Sequence, residues 1–347
     1  STSRSESMIV YIIRRLLLMV PTLVGASILV FTLTQFVPGG PVENLIRQMK
    51  VSSSGSANAS VQVNDELREQ LNKQFGFDKP VHIRYFNWLG DLLRFDFGKS
   101  YEYQEPVWDL IVERFPVSLT FGIWSFLLTY LLCIPMGIWK AVKDGSRFDY
   151  ISSLLLFLGY SMPSFSLAVL LIVLFGGGSF FDWFPVQGLH SDGAENLPFV
   201  EYVLDYLHHI VLPLFCYVIG NFATLTFLMK NSFIDQINLD YVRTARAKGL
   251  PDRVVYFRHV LRNALIPIAT GVGSYVGIFL TGSILLEQIF GIEGISLLFY
   301  NSIMSRDYPI ALALVVLGTV SGILGNLLSD LLYVVIDPRI DFDAIEN

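Results

Sequence analysis

The sequence predicts an all-α integral membrane protein, and three observations carry that expectation. Hydrophobic residues make up 53% of the chain and charged ones only 16%, against about one quarter charged in soluble globular domains. Six largely apolar runs, each near the roughly 20 residues that cross a hydrocarbon layer about 30 Å thick, are separated by polar breaks. Lys and Arg are unevenly shared among those breaks: 14 of the 24 fall in the segments 1–15, 140–150, 230–263 and 337–347. Loops facing the cytoplasm hold the excess of positive charge, so six spans with both termini cytoplasmic satisfy the pattern.

The spans are placed at 16–37, 116–139, 151–175, 208–229, 264–290 and 310–336. STSRSES ahead of the first reads as a tag remnant or disordered extension, since Met8 opens MIVYIIRRLLL. The run behind Arg14 and Arg15 exceeds a signal-peptide core and has no small-residue cleavage site before Pro38, so it is read as an uncleaved span. PGGP at 38–41 ends it and opens an external subdomain, 38–115, with a flexible insert at 51–60. There Asn64 caps a helix bearing Leu67, Leu71 and Phe75, and Tyr85 and Trp88 mark a second helix at the membrane interface. External loops 176–207 and 291–309 follow the third and fifth spans.

Within the spans, Pro135, Pro163 and Pro213 each remove a backbone hydrogen bond and permit a kink, static or gating. Gly273 with Gly277, and Gly318 with Gly322, have the spacing that lets helix backbones approach, within this subunit or against a second one. Cys133 and Cys216 lack metal-ligand spacing and read as apolar packing residues. Glu287 and Asp330 are the acids deepest in the spans and are pathway candidates; alternatively Glu287 lies at the outer surface and Asp330 bonds a neighbouring helix.

The densest charge lies in YVRTARAKGLPDRVVYFRHVLRN, 241–263, with six Lys or Arg and one acid, Asp252. A Lys, Arg or Asp at mid-bilayer costs about 2.5–3.5 kcal/mol, which keeps this stretch in the cytosol. Ser232 and Asp235 have capping-box spacing, while Ile234, Ile237, Tyr241 and Ala245 recur on one helical face. Gly249 is a natural stop and Pro251 bars continuation, after which a short helix runs from Asp252 into the next span. The segment 232–263 is thus expected to be a helix, a sharp turn and a helix on the inner membrane face.

No catalytic constellation accompanies it. HExxH, GxSxG and CxxC are absent, and GGG at 176–178 lacks the Lys and Ser/Thr of a phosphate-cradling loop. No catalytic, cofactor-binding or metal-binding residue is therefore assigned. An ion-coupled carrier or channel is the alternative class, but it calls for a relay of intramembrane charges that these spans scarcely hold.

The basic stretch resembles the cytoplasmic loop of binding-protein-dependent ABC importer permeases: Glu-Ala-Ala, three residues, Gly, nine residues, Ile-x-Leu-Pro. Here Arg243, Thr244 and Ala245 stand first, then Gly249, then His259, Val260, Leu261 and Arg262. Ala245, Gly249 and Leu261 match, whereas the Glu, Ile and Pro positions do not. RTARAKG followed by RHVLRNALIP is similar to the oligopeptide and dipeptide branch. FGFDKPVHIRYFNWLGDLLRFDFGKS (75–100), FPVQG (184–188), RDYP (306–309) and DPRI (337–340) are similar to further motifs of that branch. The long second external loop and the 51–70 insertion look like the microcin C/oligopeptide subgroup; Glu293 and Ser296 depart from the usual Pro and Gly.

The resemblance implies the type I ABC importer permease fold in a bacterial inner membrane, and one of two similar permeases forming a heterodimer. Partner ABC ATPase subunits would use ATP and Mg2+, a periplasmic peptide-binding protein would deliver oligopeptides or microcin C-like antibiotic peptides, and the subdomain 38–115 would dock that protein. Tyr241, Arg243, Thr244, Ala245, Arg246, Lys248 and Gly249 would form the coupling helix in an ATPase cleft, with Arg243, Arg246 and Lys248 pairing with ATPase acids or lipid phosphate. Transport would follow alternating access, with no nucleic acid involved.

Overall fold

The computed structural model describes residues 2–36, 69–70, 78–178, 180–273 and 282–336. The chain is helical: among these residues the only extended pairing is a bridge between Lys99 and Pro106. In order come α1 (Thr2–Phe36), α2 (Val81–Leu93), α3 (Val107–Val142), α4 (Arg147–Ser161), α5 (Ser164–Phe175), α6 (Phe199–Ile237) and α7 (Asp240–Ala247). Short helical segments Asp252–Val254, Val255–Val260, Leu261–Ala264 and Ile266–Thr270 follow, then α8 (Ile284–Ile289), α9 (Ile295–Ser305) and α10 (Tyr308–Ile336).

Among the described residues four helical stretches are long and apolar enough to cross a membrane: Ile13–Thr32, Val107–Val142, Phe199–Ile237 and Tyr308–Leu332. Leu17, Leu131 and Leu328 stand exposed on these helices, as lipid contact requires. With 36 and 39 residues, α3 and α6 extend about 54 and 59 Å at 1.5 Å per residue. Both outrun the hydrocarbon layer, because charge ends an apolar run without ending the backbone hydrogen bonds of a helix.

The third expected span, 151–175, is not one helix; α4 and α5 meet at a bend of 99°. Proline disfavours the helical region for the residue before it, and Met162, at φ −92 and ψ 126, is extended ahead of Pro163. Pro135 and Pro213, by contrast, lie inside α3 and α6, which continue through them. The fifth expected span, 264–290, falls partly outside the described residues. So do Gly277, the insert 51–60, the helix expected at Asn64, Leu67, Leu71 and Phe75, and the motif at 337–340.

Two compact units divide the chain. One comprises Leu17–Arg114 and Leu298–Val320. In it the expected interfacial helix α2 lies against α1: Tyr85 and Ser27 hydroxyls are 2.9 Å apart, and Phe31 packs on the rings of Tyr85 and Trp88 at 5.4 and 5.6 Å.

The other comprises Ser1–Leu16, Phe115–Leu297 and Ser321–Asn347, and its described residues include two apolar cores. Cys133 is buried in one and Cys216 in the other, both as free thiols among apolar neighbours. At Gly273 a Cβ would overlap the Gly325 carbonyl and the Ser329 hydroxyl, and the Gly273 N–H donates to Ser329 Oγ at 2.8 Å. The close approach of α10 is therefore made through Gly325, about one turn beyond Gly322 and two beyond Gly318, and a Cβ at Gly322 would meet nothing within 4 Å. Asp330 forms an ion pair with Arg15, joining the end of α10 to α1.

Candidate functional site

The basic stretch folds into an elbow with one buried edge. α6 does not stop at Ser232; that residue is buried in mid-helix, and the helix runs on to Ile237. The capping-box reading is thereby corrected, since helical packing on Phe233 and its neighbours outweighs a local start signal. Asn238 and extended Leu239 make the turn, and α7 begins at Asp240.

Only Val242 and Ala245 of α7 are buried, three residues apart on one face and at 0% and 7% exposure. They join a core with Ala141 of α3, Leu225, Met229 and Phe233 of α6, and Val255 and Val260 beyond the turn. Ala245 therefore packs inward, so the close approach its small side chain allows is to this chain's own core.

The turn is built by hydrogen bonds that end the helix. Gly249 N–H donates to the Arg246 carbonyl at 2.9 Å and Leu250 N–H to the Ala245 carbonyl at 3.4 Å, the paired bonds of a Schellman motif. Gly249 sits at φ +77 with open space where a Cβ would be, so glycine is needed there for its left-handed backbone. Pro251 then starts Asp252–Val254, and the π-helical Val255–Val260 and Leu261–Ala264 continue the return arm.

The expected docking residues divide by what they touch. Tyr241 and Arg246 brace the elbow: the Tyr241 hydroxyl donates to Gln236 Oε1 at 3.0 Å and accepts from Asn263 Nδ2 at 3.3 Å. Arg246 pairs with Asp252 at 3.1 Å across the turn and donates to the Tyr256 hydroxyl at 3.3 Å. Arg243, Thr244, Lys248 and Gly249 are exposed, with Arg243 loosely paired to Asp240 on the same helix at 3.3 Å. Val242 and Tyr256, and the pairing of Asp252 with Arg246, are not foreseen from the sequence; the hydrophobic at 242, three before Ala245, is the signal there for an inward edge.

Outside the elbow, motifs remote in sequence meet. The buried Asp307 carboxylate accepts from the Ser100 hydroxyl and from the Tyr101 and Glu102 N–H groups at 3.1 and 3.2 Å, so RDYP holds the end of FGKS. Burial and the neighbouring Asp307 carboxylate push the Tyr101 phenol up to about 12. FPVQG meets the loop after α8: Gly188 N–H donates to the Phe290 carbonyl at 2.8 Å, and Gln187 lies over Gly291. Glu287 is buried beside Gly282, Gly294 and Ser296 and accepts from the Leu297 N–H at 2.7 Å. Its carboxylate is the internal tether of the loop that carries Glu293 and Ser296. Among the described residues no group of His, Cys, Asp and Glu has metal-binding geometry.

Comparison with known proteins places this architecture. The family described as binding-protein-dependent transport system inner membrane component matches residues 133–342, and the N-terminal family of such membrane components matches residues 8–122. The peptidoglycan transport system permease protein YejB of Agrobacterium fabrum is 44% identical, across 96% of this chain and 98% of its own. The inner membrane ABC transporter permease protein YejB of Escherichia coli O157:H7 is 42% identical, across 96% and 99%. The oligopeptide transport system permease protein AppB of Bacillus subtilis is 35% identical, across 96% and 100%. With an all-helical fold, apolar spanning helices and these matches over both its parts, the chain belongs to the family of inner membrane components of binding-protein-dependent transport systems.

Proposed function

We propose that this chain is a permease subunit of an ABC importer that carries peptides from periplasm to cytoplasm, driven by ATPases in separate chains. The observation that carries the reading is the elbow: a basic eight-residue helix, set on two buried side chains, braced at both ends and exposed elsewhere. Such a projection suits a cleft on a motor subunit. Arg243, Thr244, Lys248 and Gly249 form the docking surface, while Tyr241, Val242, Ala245 and Arg246 hold its shape.

In this reading six spans place both termini in the cytoplasm, a second, non-identical permease completes the pathway, and the subdomain 38–115 receives a peptide-binding protein. ATP and Mg2+ act on the partner ATPases. Closure of those ATPases draws the elbows together and opens the pathway outward, and hydrolysis resets it. The relatives named for oligopeptide and peptidoglycan transport support a peptide cargo, with microcin C-like peptides within the same chemical class. Half-buried Gly318 and Gly322 on α10 are offered as contact points for the second permease.

The test is Gly249→Trp in the assembled transporter. The variant inserts in the membrane, but ATP turnover no longer drives uptake of a labelled tripeptide into vesicles. Unchanged uptake sinks the docking role, and parent uptake that ignores ATP but collapses with ionophores favours a carrier instead.

A further inference from the structure

A second group of charges lies in the same unit, at the foot of α3, α4 and α6, and the elbow does not include it. Lys140, near the end of α3, is fully buried. A buried ammonium needs an acceptor for each of its three protons. Lys140 finds them on α4: the Asp149 carbonyl at 2.9 Å, Ser152 Oγ at 2.7 Å and Ser153 Oγ at 2.8 Å, with Asp149 Oδ1 at 3.0 Å. The other carboxylate oxygen of Asp149 pairs with Lys230 of α6 at 2.7 Å, and Lys230 also reaches Asp144 in the α3–α4 turn at 2.7 Å. Two lysines and two aspartates thus balance in charge.

The placement of this group ties three helices. Just above it α3 touches α6 closely, since a Cβ at Gly137 would lie 2.6 Å from Met229 Cβ. The Phe227 ring of α6 faces Lys140 Nζ at 5.4 Å. Below it, α6 runs uninterrupted from Lys230 to Ile237, two residues before the elbow. The first turns of α4 are therefore held to the helix that carries the elbow, and α4 leads through the 99° bend into α5. Apolar side chains would fill this space as well, but an ion pair with saturated donors fixes direction as apolar contact does not.

We propose that Lys140, Asp149 and Lys230 are positioning residues that lock α4 to α6, so that the elbow and the bent α4–α5 pair move as one body. The proposal rests on the docking reading above and extends it from the elbow to the spans.

The experiment uses the full complex with its partner permease and ATPases in nanodiscs. Nitroxide labels replace Tyr150, which is 75% exposed at the start of α4, and Arg253, exposed just past the turn. Pulsed electron spin measurements give one narrow distance in the parent, the same without nucleotide and with ADP and vanadate trapped. Asp149→Asn makes that distance broad and nucleotide-dependent. Lys230→Gln, which keeps the Lys140–Asp149 pair, gives the same change if Asp149→Asn fails to fold. A parent distance that already shifts between nucleotide states, or folded variants that keep the parent's single distance, overturns the lock while docking stands. ATPases that fail to co-purify with the parent overturn the docking reading and the lock with it.

Discussion

Gly249 is held in place by backbone conformation. Its φ of +77 lies where an L side chain clashes with its own carbonyl, although nothing else is within 4 Å. That clash costs roughly 1–2 kcal/mol, and asparagine tolerates the region better than alanine does. Gly249→Ala is expected to lower the amide-exchange protection of α7 by that amount and Gly249→Asn by less; equal protection in all three chains refutes this. Asp307 and Tyr101 give a pH test. A phenol whose folded value is about 12 against about 10 when unfolded is favoured neutral by the fold. The stability this contributes is complete below about pH 10 and is lost as pH rises towards 12. Tyr101→Phe should flatten that alkaline loss in a thermal-unfolding series, and a slope as steep as the parent's counts against the assignment.

α7 has eight residues, too few to be stable as an isolated helix, so its existence depends on what it stands on. Val242 and Ala245 supply that footing, and Val242 is fully buried. Val242→Ala removes two buried methyl groups, about 0.8 kcal/mol each plus a cavity. Amides of 240–247 should then exchange at least tenfold faster while those of α6 do not, as read by mass spectrometry. Uniform loss across both helices would show the elbow to be part of one cooperative block. Two boundaries illustrate what local signals can and cannot fix. Gly249 and Pro251 ended the helix where expected, because both act through their own backbone. Ser232 did not start one, because its surroundings on α6 were already helical and buried.

Across the whole chain, the asymmetry of Lys and Arg predicts sides. Lys248 on the elbow and Lys99, in the segment that the proposed topology places outside, are both exposed. With cysteine at each position in turn, an impermeant maleimide applied to right-side-out vesicles should label only position 99, and inverted vesicles only position 248. Labelling of 248 from outside refutes the topology and with it the importer mechanism. The acids deepest in the apolar regions are engaged within the chain, Asp330 with Arg15 and Glu287 with its own loop.

Membrane class, helical content, the helix at Tyr85 and Trp88 and the stop at Gly249 were legible in the residues, since each follows from hydropathy or from a single residue's backbone. Folding in three dimensions settled the rest: which side of the basic helix faces in, that Asp307 closes on Ser100, that Gly273 meets Gly325, and that Asp149 joins two lysines. Those pairs come from distant parts of the chain. Their partners are selected by shared burial and hydrogen-bond geometry, and neither quantity leaves a periodic trace in the order of residues.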